Sequence, residues 1–256
     1  VIAVARTPDK AKHLGVEVRK GDYNNLDEFK EAFKDVNKVL LVSGMDEPDK
    51  RIQQHRNVIN AAKFIGVDKI VYTSIIGDEE KSAFSPIVKS NRQTEEDVRN
   101  SGMQWAIGRN GIYIEPDLEY IENYKKAGEI RNSGGLGKCA YTSRRELGLA
   151  YAKMLLDDSL NGETYNLVGE PFSQSQLAHF LNEVYGTNLH YSPLSIDQYT
   201  AERKDELGDF LGTVIGGIYA SINNGAYNIL SDYERVVGRP HKAPLEMIKE
   251  IANKTK

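Results

Sequence analysis

From its first residue the chain alternates short apolar runs with amphipathic stretches of helical period, and that alternation admits few folds. Residues 1–6 (VIAVAR), 16–22 (VEVRKGD), 38–44 (KVLLVSG), 69–75 (KIVYTSI), 103–109 (MQWAIGR) and 163–169 (ETYNLVG) read as strands. The run 38–44 is almost uninterruptedly apolar, as expected of a strand covered on both faces. Helical signals fall between them. Thr7 with Pro8 opens a short helix, and Asn25 with Glu28 makes a capping-box-like start for LDEFKEAFKDV. In residues 49–65, Ile52, Val58, Ile59, Ala62 and Ile65 share one face, and Gly66 ends the helix. Further helices are expected over 88–101, 120–130 and 144–157, and from the Ser173/Gln176 capping box to about Gly186. The pattern predicts an α/β protein with a Rossmann-like doubly wound parallel sheet and a smaller C-terminal α/β cap lobe. Residues 1–157 form the dinucleotide-binding part and 158–256 the cap, interleaved with it.

Composition narrows the function classes. A net charge of -4, with lysine and arginine dispersed among acids, gives no footprint for nucleic acid. No apolar run approaches the roughly 20 residues of a membrane span, so no membrane partner is expected. A single cysteine, Cys139, excludes an internal disulfide and suits a reducing cytoplasm. The five histidines form no metal-binding pair, so no metal is expected.

In a doubly wound sheet, ligands bind outside the carboxyl ends of the strands, and candidate residues are sought there. The strand 1–6 ends in Arg6, followed by Thr7 at a helix start and Lys10 one turn on. An arginine at the end of the second strand of a dinucleotide fold accommodates the 2′-phosphate, so NADP(H) is expected over NAD(H). The same two cations also serve as ordinary surface charges. Asp22 and Tyr23 suit the adenine, as a carboxylate acceptor and a ring to stack on, or equally a turn and a core. Ser43 and Gly44 end 38–44, where small side chains let a dinucleotide pass closely, and Thr73 and Ser74 put hydroxyls at the end of 69–75. No G-x-G-x-x-G loop precedes residue 1, and the cluster Gly134, Gly135, Gly137 sits in a polar turn with no strand feeding it. The expectation is therefore that a first βα unit of roughly 25 to 30 residues belongs in front of this sequence.

The stretches VARTPDK, GDYNN, HRNVINAAKFIGV with KIVYTS, EEDVRNSGMQWAIGRNGIYIE and TSRRELGLAYAKML together resemble the NmrA-like family of atypical short-chain dehydrogenases/reductases, most of all bacterial NADPH-dependent quinone oxidoreductases of the type 2 group. The resemblance implies NADPH binding, with Arg6 and Lys10 on the 2′-phosphate and Val42, Ser43 and Gly44 lining the cofactor. It also implies that Arg109, Asn110, Gly111 and Tyr113 border the nicotinamide and a substrate pocket. At Asn91 many relatives have lysine and the quinone reductases histidine; asparagine hydrogen-bonds but supplies no proton near neutral pH. No tyrosine is followed four residues later by lysine; the nearest matches have arginine there, as in Tyr199 with Arg203. That disfavours carbonyl reduction by the usual Tyr–Lys pair. A quinone is a strong hydride acceptor whose oxygens take protons from water, so orientation over the nicotinamide suffices. Asn91 and Tyr113 are the candidates for any catalytic role. The leading expectation is an NADPH:quinone oxidoreductase with a small planar substrate, for which a homodimer is compatible; the alternative is a non-catalytic NADP(H)-sensing regulator.

Overall fold

The apolar runs become strands and the amphipathic runs helices, in chain order. The computed structural model describes residues 1–82 and 84–254. It begins with β1 (Ile2–Ala5), a 3-10 turn (Pro8–Leu14), β2 (Glu17–Lys20), α1 (Leu26–Ala32), β3 (Lys38–Leu41), α2 (Pro48–Ile65) and β4 (Lys69–Ile75). Next come α3 (Ser85–Arg99), β5 (Gln104–Asn110), β6 (Ile112–Tyr113), α4 (Glu115–Glu119), α5 (Ile121–Ala127), β7 (Glu129–Asn132), β8 (Lys138–Cys139) and β9 (Tyr141–Thr142). The chain continues with α6 (Arg144–Leu156), β10 (Thr164–Leu167), β11 (Phe172–Ser173), α7 (Gln174–Tyr185), β12 (His190–Pro193), α8 (Ile196–Leu207), α9 (Asp209–Asn223), α10 (Tyr233–Val237) and α11 (Pro244–Lys254). Among the described residues no helix is long and apolar enough to cross a membrane.

The chain divides into two units whose segments alternate. The first is Val1–Ser74, Lys89–Gly108 and Tyr151–Thr164; the second is Ile75–Val88, Arg109–Ala150 and Tyr165–Lys256. A cut at residue 157 falls within the last segment of the first unit. The architecture is the parallel-sheet α/β, Rossmann-like one. β3 pairs with β4 in parallel, Lys38 opposite Lys69 through Leu41 opposite Tyr72, within a four-stranded sheet of order β10-β5-β4-β3. β1 pairs in parallel with β2, Ile2 opposite Glu17, and among the described residues β1 and β3 are not paired with each other.

In the first unit, Phe29 from α1 and Phe33 at its C-cap, Val58, Ile59 and Ala62 from α2, and Val39, Leu41, Ile70 and Tyr72 from the strands make one apolar cluster. Each such aliphatic side chain, fully buried, contributes roughly 1.5–3 kcal/mol. The inner face of α2 changes character along its length. Its C-terminal half buries Val58, Ile59, Ala61 and Ala62, while its N-terminal half buries Arg51, Gln54 and His55. Polar groups buried at that end must find partners there, and they determine the candidate site.

Two start signals resolve differently from their sequence form. Thr7 makes no side-chain cap bond, and the segment it opens is a 3-10 turn with no buried residue to hold it as an α-helix. Asn25 does cap α1, accepting from the amides of Asp27 and Glu28. Glu28, however, accepts the Asp22 amide and pairs with Lys20, so the reciprocal half of the capping box is absent.

The core of the second unit gathers Ile76, Val88, Ile114, Leu118, Ile130, Tyr141, Phe172, Leu177, Leu181 and Ile248. The capping box of Ser173 and Gln176 forms as expected. The helical reading of 120–130 holds only through Ala127: Gly128, in the left-handed region at φ 75°, stops α5, and Ile130 instead belongs to β7, paired in parallel with β12.

Candidate cofactor and active site

In the first unit the candidate residues lie where β1 to β4 end. Arg6, Thr7 and Lys10 stand exposed after β1. Asp22 accepts the Asn24 backbone and side-chain amides, each at 2.9 Å. The Asn24 amides hold its carboxyl below the usual range, and the Arg6 charge adds to the effect. Asp46 is likewise depressed, first by its bond from Gln54 at 2.5 Å, with Lys50 and Arg6 contributing. Arg6 therefore lies within electrostatic reach of two carboxylates, while its own side chain is open to solvent. Tyr23 packs its ring on Phe29 at 5.6 Å and donates its hydroxyl to the Val42 carbonyl at 2.6 Å. Burial pushes its pKa to about 12, so the phenol stays protonated.

The loop that follows β3 is held by side chains. The Ser43 amide donates to Thr73 Oγ1 at 2.8 Å and the Ser43 hydroxyl to Asn91 Oδ1 at 3.1 Å. The Gly44 amide donates to His55 Nε2 at 2.9 Å, and Arg51 Nη1 donates to the Gly44 carbonyl at 3.4 Å. The polar groups of Ser43 and Gly44 thus turn inward. The apolar side chains on either side turn outward: Val42 is 53% exposed and Met45 80%. A Cβ at Gly44 would meet Gln54, His55 and Tyr23 at 3.4, 3.5 and 3.6 Å, ordinary contact distances on the protein side. The interior therefore does not require glycine at this position.

The hydroxyls at the end of β4 are engaged by the protein. Thr73 accepts the Ser43 amide. Ser74 is fully buried and donates to Glu95 Oε1 at 2.7 Å; Glu95, also fully buried, accepts Arg92 at 2.7 Å and Arg99 at 2.9 Å. Asn91 lies in the same layer, its Oδ1 accepting Tyr72 at 2.7 Å as well as Ser43. His55, Thr94 and Glu95 are the residues that strand-end reasoning missed. Their signal was a row of polar residues at helical spacing on faces that point inward: Arg51, Gln54 and His55 on α2, and Ser90, Asn91, Thr94 and Glu95 on α3.

In the second unit, Arg109, Asn110, Gly111 and Tyr113 follow one another from β5 into β6. The Asn110 carbonyl accepts the Ile76 amide at 3.0 Å, and its side-chain amide donates to the Tyr113 hydroxyl at 2.9 Å. Tyr113 is 38% exposed, and burial of the rest of its ring raises its pKa. Gly111 has a steric reason: a Cβ there would come 2.6 Å from the Ala140 carbonyl. Arg109 lines a depression of about 430 Å³ with Asp78, Lys81, Asn166 and Asn224.

A family model described as NAD(P)H-binding matches residues 1–157. Quinone oxidoreductase 2 of Escherichia coli is 30% identical over 264 residues, covering 99% of this chain and 90% of that protein. Its crystal structure with NADPH superimposes with a TM-score of 0.87 at 29% identity, covering 99% and 89% of the two chains. The triphenylmethane reductase of Citrobacter sp., solved with NADP(H), gives a TM-score of 0.88 at 30% identity, covering 97% and 89%. An NmrA-like family domain-containing oxidoreductase of Aspergillus flavus is 25% identical, covering 93% of this chain and 80% of that protein. The chain belongs to the NmrA-like branch of the NAD(P)H-binding family.

Proposed function

We propose that the protein is an NAD(P)H-dependent oxidoreductase of the quinone and dye reductase kind, using NADPH to reduce a small planar acceptor such as a quinone. The observation that carries the reading is the loop after β3. Its Ser43 and Gly44 amides are satisfied from within, and its outer side presents Val42 and Met45, a dry surface for a flat ligand. Arg6, exposed at the end of β1 with Lys10 one turn on, supplies the cationic end that a 2′-phosphate needs. These groups fit a dinucleotide phosphate, and the bound cofactor would supply the hydride. The relatives named above include a quinone reductase and a dye reductase.

The residues of the chain do the orienting and manage protons. Thr73, Ser74 and Tyr72 are all buried and bonded to protein partners, so this set of hydroxyls is not offered to a substrate. Asn91 acts by fixing Ser43. Tyr113 accepts the Asn110 amide and keeps its own proton to donate, which makes it the hydrogen-bonding group for an acceptor oxygen. A quinone tolerates such an economical site because its reduced oxygens draw protons from water.

Following NADPH absorbance with a panel of quinones and triphenylmethane or azo dyes tests the reading. Turnover that requires NADPH is expected. Tight NADPH binding with no turnover of any acceptor would refute the enzyme and favour an NADP(H)-sensing regulator.

A further inference from the structure

His55 has no solvent exposure, yet it sits in the first half of α2 among Arg51 and Gln54 instead of the aliphatic residues that fill the second half. Its two ring nitrogens are both engaged, and the partners determine the direction of each bond. The Gly44 amide, 2.9 Å from Nε2, can only donate, so Nε2 carries no proton. The ring proton is therefore on Nδ1, which donates to Thr94 Oγ1 at 2.9 Å. The Thr94 hydroxyl then donates to the Ser90 carbonyl at 3.1 Å, a group that can only accept. The relay from Gly44 through His55 and Thr94 to Ser90 has an amide at one end and a carbonyl at the other, so one tautomer satisfies it. Burial, with the Arg51 charge beside the ring, keeps the imidazole neutral.

Resting on the reading that the loop after β3 receives the dinucleotide, we propose that His55 is a positioning residue for cofactor binding: it holds the Gly44 amide inward, so that the loop presents Val42 and Met45 outward instead of an unsatisfied N–H. Thr94 completes the device by fixing the tautomer. Without an acceptor at Nε2, the Gly44 amide must either stay buried and unpaired or turn towards water. The second choice rotates the Ser43–Gly44 peptide and changes the surface offered to the cofactor.

The test compares His55→Leu, which fills similar space but accepts nothing, with His55→Gln, whose amide oxygen can accept the Gly44 N–H while its nitrogen donates to Thr94. NADPH affinity of the whole chain is measured by fluorescence titration, alongside the melting temperature without ligand. His55→Leu is expected to weaken NADPH binding about tenfold, the effect of one net hydrogen bond, and His55→Gln by less than about threefold. In steady-state assays the leucine variant raises KM for NADPH with a smaller change in kcat. If the leucine variant does not fold, Thr94→Val against Thr94→Ser makes the same contrast one link further on. Equal losses in both members of a pair, or NADPH affinity in His55→Leu equal to wild type, would overturn the proposal while leaving the cofactor reading intact. Wild-type protein that binds no NADPH would sink both.

Discussion

Replacing Asp117 with asparagine should stabilise the protein at neutral pH, against the usual direction of a core substitution. Asp117, on α4, is 5% exposed and accepts the hydroxyl of Tyr124 at 2.8 Å and that of Tyr219 at 3.5 Å. Burial raises its pKa from 3.8 to about 6, partly opposed by the two phenols. Because the folded-state pKa is the higher one, the folded chain holds more protons than the unfolded chain between about pH 4 and 6, and stability falls as pH rises through that window. The difference, 6 minus 3.8, is 2.2 units; at about 1.4 kcal/mol per unit, ionisation costs roughly 3 kcal/mol by neutral pH. About 2 kcal/mol of this falls between pH 4.5 and 7.5. Asparagine keeps an acceptor for Tyr124 and has no charge to desolvate. Urea unfolding of wild type and Asp117→Asn, followed by circular dichroism at pH 4.5, 5.5, 6.5 and 7.5, isolates the effect, since every other titrating group is shared by both proteins. The variant should gain about 2 kcal/mol on wild type across the series. A difference that stays constant with pH, or one that shrinks as pH rises, would refute the buried-carboxylate reasoning.

Three further perturbations test other parts of the structure. Glu95→Ala removes the acceptor shared by Ser74, Arg92 and Arg99 and should cost about 3 kcal/mol in urea unfolding, against less than about 0.5 kcal/mol if the cluster were a solvated surface network. Gly137→Ala should lower the melting temperature through a loss of about 1–3 kcal/mol, because the new Cβ would collide with the Ile222 carbonyl; an unchanged melting temperature would show that this turn can shift. Arg6→Ala should weaken NADPH binding about 10- to 100-fold, the effect of a lost charge-assisted bond, and leave NADH binding within about twofold. Equal losses for the two cofactors would remove Arg6 from 2′-phosphate recognition.

The fold was readable where local signals and tertiary packing agreed. The strand 69–75 appears with those bounds because six of its seven residues are buried, so its apolar run has no competing explanation. The pattern for α2 was found within a residue, since Pro48 and Gly66 punctuate it at both ends. Residues 120–130 misled because Ile130 continues the helical spacing of the apolar residues, and only the left-handed Gly128 separates the helix from the strand. Where the two interleaved units change over was out of reach for a simpler reason: β4, β5 and α3 each contribute residues to both, and no composition shift marks a boundary inside a regular element.

The candidate site divides along the same line. Topology points to strand ends and makes Arg6, Asp22, Tyr23, Ser43, Gly44, Thr73 and Ser74 candidates, but it does not say which way a strand-end group faces. Facing is decided by what lies behind. Behind β3 and β4 are the first turns of α2 and the middle of α3, whose inward positions are Arg51, Gln54, His55, Ser90, Asn91, Thr94 and Glu95. Seven polar residues on buried faces demand partners. They draw in the Gly44 amide and the hydroxyls of Ser43, Tyr72 and Ser74. Thr73 completes this layer from the strand side by accepting the Ser43 amide. A helix pair with aliphatic residues at those positions would have left the same strand-end groups to seek solvent or ligand, as a hydroxyl-based catalytic site requires. In this chain the polar layer is interior, and what remains outside is a cation at Arg6 and apolar side chains at Val42 and Met45. That division suits a surface that binds and orients a flat ligand, and it makes the buried rows on α2 and α3 the stretch of sequence from which the function could have been read more fully.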